Sequence, residues 1–246
     1  MFKTRHCLPF RMRRFVTVVW FVFLLIAGGL PAAAQFAVVK DRDGYVLVRE
    51  KGSTANAVLD TLPNDRIVFC NEKKGDWIYV LYQSEKESSG GYVHKSRLVR
   101  LETFQHLERA ESTDNTLLLK GKPAISVRLT VGAFEAGKYP VRYDTVNGYR
   151  FASRINGKPF FGTDGTIPKR RYRSITVQLG DKVSSLPAAA FDDLFEPNFP
   201  HTECYFDPVQ QRLFLTAINS DGAGGYVVTW VIDPNGYRDR MVTNGF

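Results

Sequence analysis

The sequence predicts an all-β protein in two units, a small barrel followed by an antiparallel β-sandwich-like domain. Three observations lead there. Apolar and polar residues alternate with period two in several runs, most regularly at 125–131 and 174–179, as in half-buried strands. Turn-forming pairs separate such runs: Asn147-Gly148, Asn156-Gly157, Gly180-Asp181 and Asn235-Gly236. Only two short stretches, 101–111 and 187–195, read as helical. The composition, 44% hydrophobic and 13% aromatic, excludes a disordered chain. A single apolar run approaches bilayer length, which excludes a bundle of membrane-spanning helices.

That run opens the chain. Residues 1–34 contain Lys3, Arg5, Arg11, Arg13 and Arg14 and no acid, then an apolar stretch over 15–30, then Pro31-Ala32-Ala33-Ala34. This is the three-part pattern of a cleaved secretory signal, with Gln35 as the first mature residue. An uncleaved anchor is the competing reading, but the stretch is shorter than the ~20 residues a bilayer requires. No Cys marks a lipoprotein site, and Met12 before Arg13-Arg14 makes a poor twin-arginine signal. The expected location is therefore periplasmic or secreted, with no stable membrane span after processing. Without the leader's five cations, the formal charge of +8 falls to 28 basic against 25 acidic residues. A general polyanion-binding role loses most of its support, and nucleic acid is not expected as a partner. Cys70 and Cys204 remain. Pairing them would close a long loop and stabilise by about 4–5 kcal/mol, but two separate buried thiols is the favoured reading.

From Phe36 to Arg100 short strands and turns alternate. Runs 45–49, 58–59, 66–70, 77–82 and 90–94 read as strands, and Pro63-Asn64-Asp65 and Gly75-Asp76 supply turns. So few residues close most readily into a small barrel. The ordered motifs Asp43-Gly44-Tyr45-Val46-Leu47-Val48-Arg49, Ser53-Thr54, Val58-Leu59-Asp60-Thr61-Leu62-Pro63, Gly75-Asp76-Trp77-Ile78-Tyr79-Val80 and Gly91-Tyr92-Val93-His94-Lys95-Ser96-Arg97-Leu98 resemble the bacterial SH3 (SH3b) domain. Two departures are Leu47, where the family often has Asn, and Gly52, where it often has Pro. The resemblance implies a non-catalytic exported module; some relatives bind peptidoglycan peptides. Tyr45, Arg49, Trp77 and Tyr92 would then form an aromatic, basic groove. The alternative is that Trp77 and Tyr92 pack the barrel core.

Leu101, Phe104 and Leu107 recur at three-residue spacing and suggest a helical connector over 101–113. From 114 to 246 about eight strands suggest a sandwich or open barrel. The run 226–232 is apolar on nearly both faces, as a central strand would be, and 187–195 is Pro-led and Ala-rich, as a helix would be. A C-terminal Phe246 is shared with outer-membrane barrels, but these strands are too short for one.

Chemistry-bearing motifs are sparse. His201-Thr202-Glu203-Cys204 invites a Cys/His or zinc reading, but extended spacing separates the two side chains and further ligands are lacking. No nucleophile-elbow, metalloprotease or paired Cys-x-x-Cys motif occurs, so neither metal nor cofactor is expected. The loop Asn219-Ser220-Asp221-Gly222-Ala223-Gly224-Gly225 is the most unusual segment. Asp221, with Asp164 in Gly162-Thr163-Asp164-Gly165, could bind calcium or sugar hydroxyls, although neither has EF-hand spacing. The run Lys169-Arg170-Arg171-Tyr172-Arg173 reads as a solvated hairpin edge or as a site for an acidic glycan. The function expected is non-catalytic binding in the bacterial cell envelope, to peptidoglycan or an envelope protein. The alternatives are an enzyme that cleaves wall glycan or peptide with its second domain, and a secreted hydrolase inhibitor that uses the Asp221 loop.

Overall fold

A computed structural model describes residues 36–83 and 88–244; residues 1–34, read above as a signal, and Phe246 lie outside them. The chain is all-β, built from antiparallel sheets, as the alternation predicts. Seven strands form the first sheet: β1 (Phe36–Val39), β2 (Tyr45–Arg49), β3 (Val58–Pro63), β4 (Ile67–Lys74), β5 (Trp77–Gln83), β6 (Ser88–His94) and β7 (Leu98–Arg100), in the order β3-β2-β6-β5-β4-β1-β7. Val39, Val46, Leu62, Val68, Val80 and Val93 come from six of these strands, yet all belong to one buried cluster. A flat sheet could not bring them together, so the sheet curls around its own core.

β1 and β4 break the one-sided pattern. All four residues of β1 are buried, as are the first four of β4. Side chains alternate across a strand. Ala37, Val39, Val68 and Cys70 point into the curled sheet, while Phe36, Val38, Ile67 and Phe69 point outward into a second cluster. Phe36 and Phe69 meet edge to face at 5.3 Å.

That second cluster continues into the rest of the chain. β8 (Gln105–His106), β16 (Thr202–Asp207), β17 (Arg212–Asn219), β18 (Tyr226–Asp233) and β19 (Gly236–Thr243) form a middle sheet, ordered β19-β18-β17-β16-β8. Tyr205, Phe214, Val227 and Val231 of this sheet pack against the outward residues of β1 and β4. Phe104 stacks on Phe214 with ring centres 5.5 Å apart. The intervening residues (Cys204, Leu215, Val228 and Trp230 among them) face the other way, against an outer sheet. That sheet contains β9 (Glu108–Ser112), β10 (Thr116–Gly121), β11 (Ile125–Ala133), β14 (Arg170–Leu179) and β15 (Lys182–Ser185), ordered β15-β14-β11-β10-β9. β12 (Val141–Val146) and β13 (Tyr149–Ile155) form a separate hairpin. The expectation of a central strand at 226–232 is borne out, since β18 lies between β17 and β19. It is apolar on both faces because each face meets a different core.

Both expected helices are corrected. Within 101–113 only Leu101–Thr103 forms a 3-10 turn. β8 then pairs with β16, and β9 with β10, so the two sheets draw this segment out as strand. In 187–195 the one helical piece is the 3-10 turn Ala188–Ala190, followed by non-helical turns over 191–193. The Ala190 carbonyl instead accepts the Trp230 indole N–H at 2.7 Å and Arg240 Nη1 at 3.0 Å, which pins the segment to the middle sheet.

Cys70 and Cys204 are free thiols in different cores, as the favoured reading had it. Burial pushes the Cys70 thiol up to about 11 and Cys204 higher still. A polar clasp closes the edge of the seam. Asp65, in a left-handed turn at φ 69°, accepts Gln210 Nε2 at 2.9 Å and lies 3.3 Å from Lys40 Nζ and 3.4 Å from Arg212 Nη1. Burial opposes ionisation of Asp65, but Gln210, Arg212 and Lys40 outweigh it and hold the carboxyl below its ordinary 3.8.

Phe214→Ala should cost about 3–5 kcal/mol in urea unfolding. Single-tryptophan variants retaining Trp77 or Trp230 should report the same midpoint, because the curled sheet and the sandwich share this core; separate midpoints would show independent units. The clasp predicts a pH dependence. A carboxyl whose folded pKa is depressed contributes stability above its unfolded pKa and loses that contribution as pH falls through the folded value. Asp65→Asn should therefore lower the melting temperature at pH 7, with the gap to wild type closing as the pH drops below about 4.

Candidate functional site

The outer face of β2 begins the site. Val46 and Val48 turn into the core, so Tyr45, Leu47 and Arg49 face outward. Arg49 Nη1 donates to the Asn56 carbonyl at 2.8 Å, tying down the loop between β2 and β3. That loop passes so close to Trp77 that a Cβ at Gly52 would lie 3.0 Å from the Trp77 Cβ. Glycine at position 52 is thus explained by close approach of backbone to indole.

Trp77 opens β5 opposite His94 in β6, with the rings perpendicular and 5.4 Å apart. His94 Nδ1 lies 2.8 Å from Ser96 Oγ, and the 3-10 turn Lys95–Arg97 carries Arg97 back toward Asp41. Asp41 is held on several sides. Its backbone N–H donates to Asn64 Oδ1, its Oδ1 accepts the Asp43 N–H at 2.8 Å, and its other oxygen pairs with Arg97. The Asp43 N–H, followed by the Arg97 guanidinium, holds its carboxyl below the usual range.

These groups line an open cleft of ≈ 410 Å³. It presents an indole and a phenol, two guanidinium groups (Arg49 and Arg97), and the carboxylate of Asp43. Such mixed charge beside aromatic surface suits a short zwitterionic ligand better than a simple anion.

Of the residues the sequence singled out, Tyr45, Arg49 and Trp77 line this cleft. Tyr92 does not; its ring stands edge-on to Tyr79 at 5.2 Å. Asp41, Asp43, His94 and Arg97 were missed as site residues. Asp43, His94 and Arg97 all lie within the motif segments, but a motif read for its strands does not show which polar flanks converge.

Asp164 and Asp221, far apart in sequence, meet at a second cleft of ≈ 710 Å³ in the sandwich. Ser220 Oγ donates to the Gly162 carbonyl at 2.8 Å, and its N–H to the Glu196 carbonyl at 3.0 Å. A Cβ at Gly224 would lie 2.9 Å from the Thr163 backbone, so the two loops touch main chain to main chain. Below them Asn219 is buried, bonded to Tyr172, Tyr226 and the Asn198 N–H. The calcium reading gains nothing. Among the described residues no three acidic, His or Cys side chains gather as a metal set. His201 is exposed while Cys204 is fully buried, so they form no joint site.

The run 169–173 is not a freely solvated edge. Tyr172 is a core residue and Arg171 packs over Tyr139. Arg170 is held by the Asp114 carbonyl and Asn115, and Arg173 by the Ala133 carbonyl.

Compared with protein-family models, curated proteins and solved structures, the chain finds no match. No helix among the described residues is long and apolar enough to cross a membrane.

Arg97→Met should raise the Asp41 pKa, read as an upward shift of its carboxyl carbon titration by NMR. An unchanged midpoint would mean that the Asp43 N–H alone holds the charge.

Proposed function

We propose that this chain is an exported, non-catalytic binding protein of the bacterial cell envelope, and that the cleft at Tyr45, Arg49 and Trp77 holds a short peptide of peptidoglycan. One observation carries the reading. Three of the four residues that the SH3b resemblance implies, Tyr45, Arg49 and Trp77, line one cleft, and Asp43 and Arg97 add charges of both signs beside the indole. A wall peptide carries both amine and carboxylate groups and would find a partner for each. The leader pattern at 1–34 supports delivery to the wall. A cleft of this shape gains most of its affinity from its aromatic and Arg anchors.

The test is co-sedimentation of residues 35–246 with intact peptidoglycan sacculi. The protein should pellet without releasing soluble wall fragments. Tyr45→Ala, whose side chain is half exposed and outside the core, should weaken pelleting about tenfold or more while leaving the melting temperature unchanged. Absence of pelleting would sink wall binding, and release of fragments would move the assignment to a wall-cleaving enzyme.

A further inference from the structure

The hairpin β12–β13 stands apart from the three larger sheets. Its root is fixed: Val141 pairs with Ile155, and both pack with Phe134, Tyr139, Phe160 and Phe195. Phe134 stacks on Tyr139 at 5.0 Å and meets Phe195 edge-on at 5.1 Å. Its tip is a two-residue turn, Asn147-Gly148, with φ values of 51° and 79°. Such turns keep the strand twist and make a stiff end.

The exposed tip is apolar. Val146 and Tyr149, the pair flanking the turn, are 57% and 65% exposed. On the opposite face Arg150 lies over the Tyr143 ring at 4.1 Å. Between residues 141 and 155 three arginines accompany one carboxylate, Asp144, which Arg142 engages at 3.2 Å. The hairpin is therefore cationic, with an aliphatic–aromatic end.

We infer that this hairpin docks the protein on an anionic phospholipid surface, with Val146 and Tyr149 entering the headgroup layer and Arg150, next to the turn, meeting lipid phosphates. Tyrosine is suited to that depth because its ring is apolar and its hydroxyl stays hydrated. Basic residues near an anionic leaflet strengthen attachment by about fivefold each. A protein partner is the weaker fit. A tyrosine buries about 150–250 Å², so this two-residue convex tip falls far short of the about 800 Å² per partner of a stable interface. A bilayer needs no complementary groove. This inference is independent of the wall-binding cleft, because the hairpin shares no residue with it.

The experiment uses residues 35–246, which lack the apolar leader, and vesicles of equal phosphatidylglycerol and phosphatidylcholine, with pure phosphatidylcholine vesicles beside them. The protein should pellet with the anionic vesicles and far less with the neutral ones. Val146→Ser/Tyr149→Ser should reduce binding about tenfold or more, and Arg150→Gln by about fivefold. Near-ultraviolet circular dichroism checks that each variant is folded, and the arginine variant decides the question if the tip variant is not. No pelleting overturns the inference. Equal pelleting of folded variants and wild type, or equal pelleting with neutral vesicles, also overturns it. Neither result bears on sacculus binding, so the two readings fail separately.

Discussion

Burial of the middle sheet on both faces is the constraint on which the rest of the structure depends. A sheet with one wet face has its register set by which residues must be dry. β17 and β18 lack that guide, since nearly every residue in them is buried. Their register is marked instead by the few polar groups inside. Among them Asn219, fully buried, ends β17 in hydrogen bonds to Tyr172 and Tyr226. A slip of one residue would separate Asn219 from its two phenols. Leaving a buried amide unpaired is costly, so Asn219 can select one alignment from several that are equally apolar.

The same constraint places the clefts. The curled sheet uses the outward residues of β1 and β4 for the seam, which leaves β2, the start of β5 and the end of β6 free to carry exposed aromatic and charged groups. In the sandwich, the β17–β18 connection leaves the sheet where Asn219 is anchored. Its glycines can then lie against the 162–165 loop. The hairpin branches from between two outer-sheet strands, so its root has a small core of its own.

Much of this was legible in the sequence. Period-two runs and Asn-Gly pairs marked most strands and turns correctly, because strand alternation and turn conformation are local properties. Double-sided burial at 226–232 was also visible. What covers its second face was not, since the residues concerned, Phe36, Val38, Ile67 and Phe69, lie well over a hundred positions earlier in what reads as a separate small unit. The two supposed helices failed for a related reason. Spacing of Leu101, Phe104 and Leu107, and the Ala-rich run at 188–190, are weak local preferences, and pairing with two sheets or a carbonyl taken by Trp230 and Arg240 overrides them. At the cleft, Tyr45, Arg49 and Trp77 were readable because they alternate with core residues or open a strand. Tyr92 shares that alternation but is taken by Tyr79. Asp41 and Arg97 meet across more than fifty residues, which no local pattern encodes.

The seam has a consequence for ligands that contact more than one part of the surface. A small barrel on a flexible tether searches a volume for its target. Here Phe214, Phe104 and the clasp at Asp65 leave no tether, and the barrel cleft, the sandwich cleft and the hairpin tip keep fixed separations. The effective concentration of a second contact, once the first has formed, is then set almost wholly by the length and stiffness of the ligand. A ligand that reached two of these places would be selected by how well its own repeat matches their spacing.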